Sequence, residues 1–221
     1  MAAITTIVHI LEVAVLLVAF GCCMTAAITV GLTSNQLQMC ILSASVENVG
    51  DIHFTVTPSS DSRCQFCVVT EVIGLLLALV FIVYRIQVLC RRKCEIQVFG
   101  RFIVLIVFGL MLFFLFVVAC LVTAGINTFC GNLLALEGGA WPETCAGFQE
   151  ITWTTLATGT EVNGAHFYDY LKAAEAASWI AVLLWVTLVA ISLVTCCMTR
   201  RQHKQQARAS HTAAAAKPVV T

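Results

Sequence analysis

The sequence predicts an all-α membrane protein: a four-transmembrane-helix bundle with a small disulfide-braced extracellular β-hairpin and a second disulfide-braced outer loop. Three observations predict it. Of 221 residues, 60% are hydrophobic and only 11% charged, and the mean hydropathy is +0.94, whereas soluble domains carry about 25% charged residues. Four apolar runs are each long enough to cross a hydrocarbon core of ~30 Å at ~1.5 Å per residue. The cations are also segregated, with ten of the twelve Lys and Arg lying in the turn Arg85–Arg101 and in the tail beyond Met198.

The first span is expected over residues 13–32. Ile4 to Leu11 would extend it at the interface, with His9 and Glu12 near the cytoplasmic headgroups. Thr25-Ala-Ala27 resembles a signal-peptide cleavage site. However, no Lys or Arg precedes the run, and the run exceeds the ~7–15 apolar residues of such signals, so an uncleaved span is expected. Ala19, Cys23, Ala27 and Gly31 recur every four residues and suit close helix approach.

Residues 33–64 form the first outer loop, with Glu47, Asp51 and Asp61. Ile52 to Thr57 alternates apolar and polar side chains as a half-buried strand does. Met39 to Ser45 is its expected partner, with a turn over Glu47 to Asp51. Cys40 and Cys64 bracket this hairpin, and a disulfide between them would brace a sheet too small to be stable alone.

The second span is expected over 65–84, with Glu71 inside it. An ionisable group at that depth is costly and should face the bundle or protonate. The loop 85–101 is read as cytoplasmic because Lys and Arg are retained on that side during insertion. The third span, 102–126, is rich in Phe and Val, and Thr123 is its one clear polar interruption. The second outer loop, 127–172, holds five acids and the cysteines Cys130 and Cys145, which form a natural pair. Glu137-Gly-Gly-Ala-Trp-Pro142 supplies the turn between them. The fourth span is expected over 173–198, with Ala173, Ala177 and Ala181 repeating the every-four pattern and Trp179 at the outer interface. Residues 1–198 thus make one membrane domain, and 199–221 an Ala-rich basic tail without acids that is expected to be disordered and cytoplasmic. Both termini should be cytoplasmic, in the plasma membrane or a secretory-pathway membrane.

Some of these residues carry a family resemblance. Cys130, Cys145 with Gln149-Glu150, His166-Phe-Tyr-Asp-Tyr170, Ala176-Ala-Ser-Trp179 and Trp185 resemble the transmembrane protein 179 family. Cys40-Ile-Leu42 and Arg63-Cys-Gln-Phe66, which precedes an apolar run, are similar too. The resemblance implies a four-span protein with cytoplasmic ends and brings no established activity, ligand or cofactor. The first outer loop contains no Trp, so the Trp-Gly-Leu-Trp run of a claudin is missing. A distant kinship with claudin-type bundles would be structural only.

The chemistry within reach is limited. Cys64-Gln-Phe-Cys67 has the spacing of a thiol-exchange pair, which would make the chain a membrane thiol oxidoreductase. The competing reading pairs Cys64 with Cys40 and leaves Cys67 as a small helix residue. Cys90, Cys94, Cys196 and Cys197 lie where membrane acyl transferases reach, which makes them candidate acylation sites. Glu71 would serve an oligomeric pore or transporter, or simply helix packing. No catalytic residue, cofactor or metal site is nominated, and nucleic-acid binding has no support. The expected partners are membrane lipids and other membrane proteins. The expected function is structural, accessory or regulatory.

Overall fold

A computed structural model describes residues 2–37, 39–50, 53–57, 59–91, 98–136, 141–150, 152–155, 161–163 and 166–215. Four helices carry the architecture: α1 (Ala2–Leu37), α2 (Asp61–Arg91), α3 (Val98–Leu134) and α4 (Phe167–Ala215). Over Thr6–Leu37, Asp61–Val88, Phe102–Leu134 and Phe167–Met198 they are apolar and long enough to cross a membrane. At ~1.5 Å per residue each stretch exceeds the ~30 Å hydrocarbon core, so the helices run beyond the spans expected from hydropathy alone. α1 packs between α2 and α4, and α4 also packs on α3. α2 closes on α3 where Gly74 leaves room, since a Cβ there would meet Met111 Cε at 3.0 Å.

The buried line of α1 runs through Ala19, Cys23, Ala26 and Val30, while Ala27 and Gly31 turn partly outward. The reason is geometric. Four residues turn an α-helix by 400°, so a strict every-four stripe drifts about 40° per step and leaves the packed face. In α4 the inward line is Ala174, Ala177, Ala181, Trp185 and Leu188. Trp185 is fully buried and meets Phe108 of α3 edge to face at 5.5 Å. Large apolar side chains on the outside, such as Leu183 at 66% and Val80 at 61% exposure, form the lipid-facing surface of such a bundle.

One end of the bundle carries a four-stranded sheet: β1 (Ser45–Gly50), β2 (His53–Thr57), β3 (Thr152–Thr155) and β4 (Glu161–Asn163), in that order. β1 and β2 form an antiparallel hairpin in which Val46 opposes Val56, with a register irregularity between Asn48 and Gly50. β2 pairs in parallel with β3, Thr55 opposite Thr154, so the two long loops share one sheet.

Three expectations are corrected. The partner of β2 is Ser45–Gly50 rather than Met39 to Ser45. Met39, Cys40, Ile41, Leu42 and Ala44 are all buried, and a segment apolar on every side fills a core instead of alternating across a sheet. Ser43, at φ 67°, turns this segment onto α3, where its N–H donates to the Gly125 carbonyl. The loop expected over 85–101 is shorter, because α2 runs to Arg91 and α3 starts at Val98; residues 92–97 lie outside the described residues. Of the tail expected to be disordered over 199–221, residues 199–215 instead continue α4 to Ala215, and 216–221 lie outside the described residues. Ala, Gln, Arg and Lys have high helix propensity and no Gly or Pro interrupts residues 199–215.

Candidate functional site

The sheet end is the most constrained surface of the protein. Cys40 is bonded to Cys64, which ties the exit of α1 to the start of α2 beneath the hairpin, and Cys130 is bonded to Cys145, which ties the end of α3 to a short 3-10 turn (Cys145–Glu150). Below the sheet, Phe129, Phe148 and Phe167 are fully buried, and Trp141 stacks on Phe148. The Gln149 side chain gives the turn a second purpose. Its Oε1 accepts from the backbone N–H groups of Tyr168 and Asp169 at 3.1 and 3.2 Å. These are among the otherwise unsatisfied donors of the first turn of α4, so Gln149 caps that helix from outside it. Asn132 Nδ2 donates to the Ala44 carbonyl at 3.0 Å, which fixes the buried segment under β1 to α3.

Deeper in the bundle, Glu71 of α2 is 1% exposed and its Oε1 accepts from Ser178 Oγ of α4 at 2.9 Å. Glu71 Oε2 and Trp185 Nε1 meet no nitrogen or oxygen partner among the described residues. The Cys23 thiol of α1 lies beside both. Three helices therefore meet at one polar point. Trp179 Nε1 donates to Thr123 Oγ1 at 3.0 Å, so the one clear polar interruption of the third span is a contact between α3 and α4.

A second polar cluster joins α1 and α2 near the opposite end. Glu12 is 2% exposed, and Arg85 meets it with two nitrogens, Nε to Oε2 and Nη2 to Oε1, both at 3.1 Å. His9 Nδ1 lies 3.2 Å from Glu12 Oε2. A bidentate guanidinium–carboxylate pair has good geometry for a low-dielectric site. From sequence alone, Arg85 falls among the loop cations and Glu12 near the headgroups. The only available signal was one acid just before the first apolar run and one cation just after the second.

The thiols separate by environment. Cys64 is committed to Cys40, and Cys67 is free and buried, so the Cys64 and Cys67 exchange pair is not assembled. Of the acylation candidates, Cys197 is exposed and Cys196 buried; Cys94 and the Cys90 side chain lie outside the described residues. No group of three His, Cys, Asp or Glu side chains is arranged to hold a metal ion among the described residues.

Four apolar helices capped by a braced sheet define the class: a multi-pass membrane protein with a claudin-like fold. The Transmembrane protein 179/179B Claudin domain matches residues 8–217, and the chain belongs to that family. The chain is similar to Transmembrane protein 179B of Mus musculus, 25% identical over 151 residues, 68% of this chain and 65% of that protein. The Homo sapiens protein of the same name is 26% identical over 137 residues, 62% of this chain and 59% of the relative. That of Danio rerio is 27% identical over 161 residues, 70% and 68% of the two chains. The matched region thus spans under two thirds of the mouse and human relatives. No solved structure matches.

Proposed function

We propose that this protein acts by binding other membrane proteins, as a structural, accessory or regulatory subunit, with the sheet end as its recognition surface. One observation carries the reading: both long loops enter one four-stranded sheet that two disulfides tie to the helix ends. Loops of this length that are ordered on a scaffold serve recognition more often than mere connection. The segregation of cations supports an orientation with both termini in the cytosol and the sheet outside. Exposure of Cys197 beside Arg200 and Arg201 supports acylation there.

The burial of Glu71 within one chain, against Ser178, supports helix packing over an oligomeric pore or transporter lined by that residue. The Cys40 to Cys64 bond supports a brace over thiol exchange. The test is affinity capture from gently solubilised membranes, comparing wild type with the Cys130→Ser/Cys145→Ser variant. Partners retained by wild type and lost by a variant that still reaches the membrane support the reading. No reproducible partner, or the same partners with both chains, counts against it.

A further inference from the structure

Between α1 and α2, just under the sheet, lies an open cleft of about 540 Å³ that none of the features above uses. Its walls change character with depth. Ser34, Asn35, Asp61 and Gln65 form the polar part, and Gly31, Val68 and Val69 are among the apolar part. The hydrocarbon boundary expected from sequence passes through Leu32 and Gln65, so the polar part sits at headgroup level and the apolar part at acyl level. The cleft exists because the small-residue line of α1 drifts off the packed face. Gly31 is turned partly outward, and no atom lies within 4 Å of where its Cβ would be. The Cys40–Cys64 disulfide fixes the adjoining ends of both helices, and Cys64 itself lines the cleft.

We propose that this cleft is a binding site for a zwitterionic phospholipid of the sheet-side leaflet. Charge complementarity selects the occupant. Asp61 is the one charged side chain in the lining, and it makes no ion pair among the described residues. A carboxylate there attracts the ammonium of a choline or ethanolamine headgroup and repels a purely anionic lipid. The Asn35 and Gln65 amides and the Ser34 hydroxyl supply neutral donors for the phosphate. An acyl chain continues over Gly31, Val68 and Val69. A volume within the ~300–1,000 Å³ of ordinary ligand sites suits a headgroup and the first part of one chain.

The test uses the full chain reconstituted in nanodiscs containing photoactivatable phosphatidylcholine, phosphatidylglycerol or cholesterol in separate samples. Labelled peptides are mapped for wild type, Gly31→Leu and Asp61→Asn, each confirmed to retain the Cys40–Cys64 bond. Phosphatidylcholine should label the Gln65 to Val69 segment of wild type. Gly31→Leu places a side chain in the cleft from a position whose Cβ meets no neighbour within 4 Å, and should remove that labelling. Asp61→Asn should reduce the preference for phosphatidylcholine over phosphatidylglycerol by about fivefold, as expected for loss of one exposed charge contact. Equal labelling by both phospholipids in wild type, stronger labelling by cholesterol, or labelling unchanged in Gly31→Leu would overturn the proposal.

Discussion

Gly125 of α3 has no room for a methyl group: a Cβ there would meet Leu42 Cβ at 3.0 Å and Leu42 Cα at 3.2 Å. Leu42 Cδ2, at 2.9 Å, can rotate away, but Cα and Cβ move only with the backbone, so Gly125→Ala should destabilise the protein by about 1–3 kcal/mol. Gly109→Ala in the same helix meets nothing within 4 Å and should be neutral or stabilising by up to about 1 kcal/mol. Thermal unfolding midpoints in one detergent separate the two, and equal midpoints would refute the close docking of Leu42. The Glu12–Arg85 pair makes a stronger claim. Removing one partner strands a buried charge, so Arg85→Gln should destabilise by about 3–5 kcal/mol. The double variant Glu12→Gln/Arg85→Gln should recover part of that loss, and simple additivity in the same unfolding assay would mean that the pair is not coupled. Residue-scale legibility was uneven for a physical reason. The four bonded cysteines stand beside apolar runs in polar loops, so their spacing and depth are local signals. The ion pair joins residues 73 apart, and nothing local in either segment announces the other. Gln149 is a similar case: its place beside Cys145 was visible as a motif, but its role as the cap of a helix 19 residues on was not.

At the scale of elements, the spans were legible because a 20-residue apolar run has few alternatives. The extension of α1 through Ile4 to Leu11 was legible in the same way, whereas the added turns at the sheet end, such as Thr33 to Leu37 and Asn127 to Leu134, mix polar and apolar residues as loops do. The hairpin was legible through the alternation around β2, and its partner was misplaced because the buried segment Met39 to Ala44 has strand-like composition but lies in the core. β3 is rich in Thr and Trp, yet its pairing with β2 depends on a contact between two loops that no local pattern encodes. That pairing can be tested directly. Thr55 and Thr154 are partners in adjacent strands, whose spacing of about 5 Å suits a disulfide. Thr55→Cys/Thr154→Cys should form a new bond on mild oxidation, detected as a cross-linked peptide, and no such peptide would refute the shared sheet. The native brace closes a loop of 15 residues, so Cys130→Ser/Cys145→Ser should lower stability by about 3 kcal/mol in the chain-entropy picture. An unfolding midpoint unchanged by that substitution would show that the loop is held by packing alone.

For the whole molecule, a mostly apolar bundle interior and a polar, braced end divide the work between them. Among the described residues, polar side-chain contacts join helices across the bundle, among them Glu71 with Ser178, Thr123 with Trp179, and Glu12 with Arg85. The sheet end draws together segments of both loops, so a lesion in either loop should disturb the whole sheet, and with it the recognition surface proposed there. Composition and charge segregation made the class readable without any structure, and neither carries information about a ligand. Cys40, Cys64, Cys130 and Cys145 act as structural braces that organise one surface. The measurement that tests this most directly is mass-spectrometric disulfide mapping of the protein alkylated in intact membranes before extraction. Cys40 bonded to Cys64, Cys130 bonded to Cys145 and Cys67 alkylated as a free thiol is the predicted result. Cys64 bonded to Cys67, or to another protein, would contradict it and return the chain to the thiol-exchange class.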